Sequence, residues 1–126
     1  MSKPDKNPTP AELEILLVLW EESPRTVKEV HEILSSKKDV GYTTTLKIMQ
    51  NMNAKGMLNR KMEGRGHVYF PVLKKEETQE KLVNRFLNTT FEGSASKLVM
   101  QVLGNHQTSS EELQKIKDLI NQIEKK

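Results

Sequence analysis

Apolar residues recur every three or four positions along most of the chain, which predicts a mainly helical protein. In the first predicted helix this repeat places four large side chains on one face: Leu13, Leu16, Leu17 and Trp20. A second repeat places Val27, Val30 and Leu34 on the inner face of the next helix, with Ile33 beside them. Because Trp20 lies on an apolar stripe, we expect it to anchor the core rather than bind a ligand.

Three segments have the sequence of a capping box, in which a Ser or Thr side chain and a Glu three residues later satisfy backbone amides at the start of a helix. These segments begin at Thr9, Thr26 and Ser109. Pro10 follows the first and suits the first position of a helix. The three boxes therefore predict where the first, second and sixth helices begin.

A third helix is predicted from the threonine cluster at residues 43–45, whose hydroxyls we expect to cap it, to Gly56, which suits the left-handed turn after a helix. At about 100° per residue, the inner face of this helix consists of Thr45, Ile48, Met49 and Met52. The outer face is polar, with Thr44 at its margin, and consists of Thr43, Lys47, Gln50, Asn51 and Ala54.

After the third helix the apolar residues alternate with polar ones. Residues 57–63 and 67–72 are predicted to form two strands joined by a turn at Gly64-Arg65-Gly66, and Pro71 suits an edge strand. A helix that leads directly into a hairpin with a basic tip is typical of a winged helix-turn-helix. The predicted fold is therefore mainly α with a small β-hairpin wing, and its DNA-binding domain covers residues 1–74.

Residues 75–126 are predicted to form a dimerisation domain of three amphipathic helices, at residues 76–90, at residues 94–103 and after Ser109. With so few aromatic residues, helices formed by about fifty residues cannot bury a large core of their own. We therefore expect them to intertwine with a second copy of the chain; the alternative is a monomer in which they pack onto the first domain. The predicted dimerisation residues are Leu82, Phe86, Leu87, Phe91, Leu98, Val99, Val102, Leu103, Leu113, Ile116, Ile120 and Ile123.

Charge is distributed unevenly along the sequence. The 126 residues have a formal net charge of only +3, but residues 37–75 carry nine Lys or Arg against two acids. Residues 1–36 and 76–126 have net charges of −3 and −1. The middle third can therefore attract a polyanion while the rest stays nearly neutral or repels it. For the charge pattern alone, an ordinary solvated surface is the alternative.

The outer face of the third helix and the hairpin hold the residues that we expect to bind DNA. Lys, Gln and Asn read base edges in the major groove, Thr contacts a thymine methyl or a phosphate, and Ala permits close approach. A plain surface helix would carry both charges, whereas this face has one lysine and no acid. The predicted contacts are Tyr42, Thr43, Thr44, Lys47, Gln50, Asn51, Arg60, Lys61 and Arg65.

Composition argues against several other classes of protein. No run of about eighteen apolar residues exists, so no membrane insertion is expected, and the N-terminus lacks a secretory signal. The absence of cysteine fits a reducing cytoplasm and excludes a thiolate metal site. His31, His67 and His106 are scattered and form no catalytic or metal-binding constellation, so we predict no enzymatic activity, no metal and no cofactor.

Two other functions fit a winged helix. A protein-interaction module would display apolar anchors on the third helix, where only Leu46 qualifies. A regulator that responds to a small ligand or a metal would need a pocket between its two halves, and the sequence identifies no residues for one.

Three motifs together resemble the BlaI/MecI family of bacterial penicillinase and methicillin-resistance repressors. They are TPAELE with LW at residues 9–20, YTTTLK through KGML at residues 42–58, and GHVYFPV at residues 66–72. The resemblance extends from Pro10 to about Ile123. It implies a homodimeric repressor that binds an inverted-repeat DNA operator. Residues 43–55 would be the recognition helix, with Thr43, Thr44 and Lys47 as leading contacts.

The resemblance also implies a route of release. In the family a membrane-bound sensor protease triggers cleavage in the fifth helix, at an Asn-Phe or similar bond, and the matching bond here is Gln101-Val102. Copper-responsive relatives carry a C-terminal cysteine cluster, which this sequence lacks.

Overall fold

The computed structural model describes residues 7–105 and 107–125, so His106 lies outside the described residues. The described residues form six helices and one two-stranded antiparallel hairpin. In chain order the elements are α1 (Pro10–Glu21), α2 (Val27–Ser35), α3 (Tyr42–Ala54), β1 (Leu58–Glu63), β2 (Gly66–Pro71), α4 (Lys75–Thr90), α5 (Ala95–Asn105) and α6 (Ser110–Glu124). A mainly α fold with a small β-hairpin is therefore confirmed.

The chain divides into two compact units, one ending at Leu82 and the other beginning at Val83. The division falls inside α4. The domain boundary expected from the sequence, between residues 74 and 75, lies at the start of this helix and stays a prediction.

Complete capping boxes begin α1 and α2, as expected. Thr9 Oγ1 accepts a hydrogen bond from the amide of Glu12 at 3.2 Å, and Glu12 Oε1 accepts one from the amide of Thr9 at 2.9 Å. Thr26 and Glu29 make the same two bonds at 3.1 and 2.8 Å. At the start of α6 the serine hydroxyl accepts from the amide three residues later at 3.1 Å. All three helix starts lie where the sequence placed them.

The face of α1 that enters the core differs from the predicted stripe. Ile15, Leu16 and Leu19 are fully buried, whereas Leu17 is 45% exposed. Residues 13–20 are apolar at every position but one, so helical spacing alone does not select a face. The packing of α2, α3 and the hairpin against α1 makes that selection.

A hydrophobic core joins α1, α2 and α3 to the base of the hairpin. Trp20 is partly buried against this core, which confirms its expected role as an anchor. The buried members of the core are Ile15, Leu16, Val18, Leu19, Val27, Val30, Leu34, Met49, Met52, Met57, Leu58 and Tyr69.

The start of α3 differs from the expectation. The helix begins at Tyr42 after the N-cap Gly41, which has no side chain to accept a hydrogen bond. Thr45 Oγ1 instead donates to the carbonyl oxygen of Gly41 at 3.4 Å. Capping by the threonine hydroxyls is therefore wrong, because these residues lie inside the helix, where a hydroxyl turns back to the carbonyl four residues earlier.

The end of α3 is the left-handed turn that the sequence predicted. Gly56 has a φ of +84°, a conformation that a β-carbon disfavours. The amide of Met57 donates to the carbonyl oxygen of Met52 at 2.9 Å, and the amide of Gly56 donates to that of Asn53 at 3.2 Å. These two bonds form a Schellman motif, which satisfies the last carbonyls of the helix and directs the chain into β1.

The hairpin has a tighter turn than expected. β1 and β2 pair in a register that ends with Glu63 opposite Gly66, so the loop contains only Gly64 and Arg65. The expected inclusion of Gly66 in the turn is wrong, because Gly66 is the first residue of β2. Gly64 has a φ of +65°, which suits the first residue of a two-residue hairpin loop.

β2 also pairs on its other side, with the segment between α1 and α2. The amide of Arg25 donates to the carbonyl oxygen of Tyr69 at 3.0 Å, and the amide of Tyr69 donates to that of Arg25 at 2.8 Å. This isolated bridge covers the outer side of β2 at Tyr69, while β2 is otherwise an edge strand of the two-stranded sheet, as Pro71 suggested. Pro71 itself lies beyond the bridge, opposite Leu58.

The second unit is helical but has no buried core. The rings of Phe86 and Phe91 meet edge to face with centroids 5.6 Å apart. None of the described residues from Val83 onward is buried. The apolar faces of these helices are therefore at most partly covered within the described chain.

Candidate nucleic-acid interface

The polar face of α3 lies at the surface. Thr45, Met49 and Met52 are completely buried on the opposite side, which determines the rotation of the helix about its axis. The exposed residues of the outer face are Thr43, Thr44, Lys47, Gln50, Asn51 and Ala54. All of these side chains except that of the alanine offer hydrogen-bond donors or acceptors. The face can therefore make polar contacts with base edges or phosphates.

The first-turn amides of α3 receive no side-chain cap from the N-cap residue. Gly41 provides no side-chain acceptor for these amides. Thr43 and Thr44 are exposed in the same turn, so hydroxyl and amide donors lie together. The partial positive charge of a helix N-terminus favours an anion such as a phosphate.

Tyr42 is held beside α2 rather than on the polar face of α3. Its ring meets that of His31 edge to face, with centroids 5.6 Å apart, and Tyr42 is 46% exposed. Nδ1 of His31 lies 3.5 Å from Oγ1 of the buried Thr45. His31 thus links α2 to the first turn of α3. Helical spacing gives no sign of these contacts, because the partners of His31 lie 11 and 14 positions away in the sequence.

The hairpin presents exposed cations. Lys61 and Arg65 are exposed, the latter in the two-residue loop. Arg60 is also exposed, but its Nη1 donates to the hydroxyl of the buried Tyr69, opposite it on β2, at 3.3 Å. Apart from Tyr42, the residues expected to bind DNA occupy two surfaces of the same compact unit, the outer side of α3 and the wing.

The charged pair at the C-terminal end of α3 involves Glu12, which the sequence assigned only to the capping box of α1. Its Oε2 accepts a hydrogen bond from Nζ of Lys55 at 2.7 Å. Burial by itself raises the pKa of Glu12, but the hydrogen bonds from Lys55 and from the amide of Thr9 outweigh it, and the net pKa is lowered from 4.5. Glu12 is therefore a buried carboxylate that is charged at neutral pH. The two partners are 43 positions apart, so no local pattern reveals the pair.

The twelve predicted dimerisation residues are either exposed or only partly buried. Exposed members include Phe86, Val99, Ile120 and Ile123. Gln101 and Val102 both lie inside α5 and are exposed.

Other kinds of site find little support in the described chain. A surface cleft of about 430 Å³ lies against α1 and α2 and is lined by both apolar and charged side chains, Leu17 and Ile33 among them. Among residues 7–105 and 107–125, no three His, Asp or Glu side chains are grouped so as to hold a metal ion. Within the same residues, no helix combines the length and apolar character needed to cross a membrane.

The chain is similar to bacterial repressors over most of its length. The sequence model of a family described as "Penicillinase repressor" matches residues 8–122. The penicillinase repressor of Bacillus licheniformis is 30% identical over 112 residues, which cover 89% of this chain and 88% of that protein. The methicillin resistance regulatory protein MecI of Staphylococcus aureus strain N315 is 20% identical over 111 residues, covering 88% and 90%.

The chain also resembles a solved structure. The DNA-binding domain of the repressor BlaI, solved in solution, superposes with a TM-score of 0.52 at 30% identity, covering 60% of this chain and 90% of that one. The expected winged-helix fold is thereby confirmed. The relatives are transcriptional repressors, a non-enzymatic class. From the match over residues 8–122, the chain belongs to the penicillinase repressor family of BlaI/MecI-type transcriptional repressors.

Proposed function

We propose that the protein is a cytoplasmic homodimeric repressor that binds an inverted-repeat DNA operator. In this proposal α3 lies in the major groove and the hairpin follows the adjacent backbone. Two such heads would sit about one DNA turn apart, or a multiple of it, so that each reads one half of the repeat. The protein would work without a metal or cofactor.

The observation that carries the proposal is the composition of the exposed face of α3. It contains hydroxyl, amide and ammonium groups and no acid. Lys47, Gln50 and Asn51 project from it, and these side-chain types make the common hydrogen bonds to guanine and adenine edges. The exposed Lys61 and Arg65 on the hairpin add positive charge suited to phosphates.

Dimerisation is supported by the apolar side chains of the second unit, which are exposed or only partly buried. A helix with one apolar face must bury it against another element to be stable in water. A second copy of α4, α5 and α6 supplies apolar faces of the same chemistry and size. Binding two half-sites at once then raises operator affinity far above that of one head.

Release from DNA would follow from loss of this dimer. We propose that cleavage at Gln101-Val102, triggered by a membrane-bound sensor protease, removes the end of α5 and all of α6 from the interface. A chain that ends at residue 101 reproduces the product. It should be monomeric and bind operator DNA weakly; a dimeric product with full operator affinity would refute release by this route.

Selection of bound sequences from a random duplex pool tests the proposal as a whole. The selected sequences should contain an inverted repeat, and sedimentation of the complex should give two chains per duplex. Affinity should fall steeply with salt, since each phosphate contact contributes about −0.9 to the slope of log K against log salt. A protein that selects no sequence and binds no duplex in dilute buffer is not a repressor of this kind.

A further inference from the structure

α1 and the end of α3 are joined by an ion pair with one buried partner. Nζ of Lys55 lies 2.7 Å from Oε2 of Glu12; the Glu12 side chain is 7% exposed and that of Lys55 is 46% exposed. Lys55 is the C-cap of α3 and is followed by Gly56, where the chain turns towards β1. The pair therefore clamps the position from which both α3 and the hairpin extend.

Other hydrogen bonds join the end of α3 to the base of the hairpin at the same junction. Nδ2 of Asn53 donates to the carbonyl oxygen of Leu58 at 3.1 Å, and the amide of Val72 donates to that of Met57 at 2.9 Å. These bonds make the end of α3 and the base of the hairpin one assembly. The Glu12 carboxylate connects that assembly to α1, and its second oxygen is already held by the amide of Thr9.

We infer that Glu12 and Lys55 are positioning residues that set the angle at which α3 enters the DNA groove, and that Lys55 is not itself a phosphate contact. The inference rests on the proposed function. A lysine at the end of a recognition helix would ordinarily be counted among the phosphate ligands. Here its ammonium is paired at 2.7 Å with a buried carboxylate that is also held by the amide of Thr9, so its charge has a partner within the protein.

The length of α3 explains why a clamp at one end matters at the other. Its 13 residues span about 20 Å at about 1.5 Å per residue. A tilt of about 5° at the clamped end therefore moves the exposed N-terminal turn by roughly 2 Å. Hydrogen bonds to base edges tolerate much less than this, whereas contacts between flexible lysines and phosphates adapt.

The structure provides both a conservative rescue and a matched control. Glu12→Gln keeps an acceptor for the amide of Thr9 but removes the charge, and Lys55→Arg keeps the cation. Glu14 and Lys38 form a second pair at 2.7 Å, with side chains 40% and 48% exposed, that starts from the same helix but does not reach α3. Glu14→Gln and Lys38→Met therefore change the same charges without touching the clamp.

The test measures the dissociation constants of the full-length variants for a selected duplex and for a scrambled duplex. The measurements are made at several salt concentrations and at a temperature where circular dichroism shows that each variant is folded. Glu12→Gln and Lys55→Met should each weaken binding to the selected duplex by roughly three- to tenfold, with little change on the scrambled duplex. The double variant Glu12→Gln with Lys55→Met should lose no more affinity than the single variant that binds the selected duplex less tightly. Lys55→Arg and both control variants should bind like the wild type, and every salt slope should match that of the wild type.

Three results would overturn the inference. One is a salt slope for Lys55→Met that is smaller by about 0.9, which would make Lys55 a phosphate contact. Another is equal weakening on both duplexes, and the third is unchanged binding by Glu12→Gln. If the wild type binds and the variants match it, only this inference fails; if the wild type binds no duplex, the proposed function fails with it.

Discussion

Nε1 of Trp20 donates a hydrogen bond to the carbonyl oxygen of Leu73 at 2.8 Å, which joins the end of α1 to the segment between β2 and α4. With Glu12 held at the other end of the same helix, α1 restrains both the entry to the hairpin and its exit. The first helix is thus a brace for the DNA-facing elements, although none of its own residues was predicted to touch DNA.

Trp20→Phe should lower the free energy of unfolding by about 1–2 kcal/mol, because it leaves the Leu73 carbonyl without its partner while keeping an aromatic ring in the core. Urea unfolding followed by circular dichroism measures the change. A variant as stable as the wild type would mean that water or another donor replaces the indole.

Truncation of neighbouring leucines tests the face of α1 that enters the core. Leu16→Ala should cost about 2–5 kcal/mol, because Leu16 is completely buried. Leu17→Ala should cost about 1 kcal/mol or less, since Leu17 is 45% exposed. Helical spacing alone predicts that both residues lie in the core. Similar large losses in the free energy of unfolding for the two variants would therefore favour the predicted stripe and contradict the observed packing of α1.

The lowered pKa of Glu12 predicts a specific pH dependence of stability. A carboxyl whose pKa is lower in the folded state stabilises the fold above its ordinary value of 4.5, and that contribution is lost as pH falls through the lowered pKa. Wild type should therefore be more stable than Glu12→Gln at neutral pH, and the difference should shrink below pH 4.5. Urea titrations of both proteins across this range measure it.

Glu14→Gln is the control for that experiment. Its pair with Lys38 is half-exposed, so its loss should change the free energy of unfolding at neutral pH by less than about 1 kcal/mol. A Glu12→Gln difference that stays constant down to acid pH would show that the carboxylate charge is not what stabilises the fold.

Lys47→Ala combined with Arg65→Ala should weaken DNA binding and reduce the salt slope by up to about 1.8, or about 0.9 for each phosphate that the variant no longer binds. The melting temperature should hardly change, because both side chains are exposed. Lys28→Ala with Lys117→Ala removes two exposed charges elsewhere and should leave the slope unaltered. Unchanged binding by the first pair at about 50 mM salt would show that DNA binding is assigned to the wrong residues.

Phe86→Asp or Val99→Asp should shift the protein towards monomer, because each places an unpaired charge on a face that is proposed to be buried in the dimer. Sedimentation velocity over a range of concentrations measures the shift. Gln122→Glu adds the same charge at an exposed position of α6, about 100° or more around the helix from each of the four dimerisation residues predicted there, and it should leave the dimer intact. If both aspartate variants sediment like the wild type, the interface lies elsewhere.

Much of the architecture could be predicted from local sequence. Thr9 and Thr26 each find their glutamate within one helical turn, so the helix starts depend on neighbours in the chain. Gly56 ends α3 because only a residue without a β-carbon takes its φ of +84° easily. The polar outer face of α3 followed from spacing, because that helix has a clear division between apolar and polar positions.

Tertiary structure decided what spacing leaves open. The sequence alone determined where the elements lie and which face of α3 is polar, because those properties arise from interactions within a few residues. Three features depend on contacts between segments that are distant in the sequence. They are the buried side of α1, the bridge from Arg25 to Tyr69 and the bond between Glu12 and Lys55. The physical reason is that such contacts depend on how helices and hairpin pack in space, and a uniformly apolar helix or an isolated charge carries no local sign of its partner.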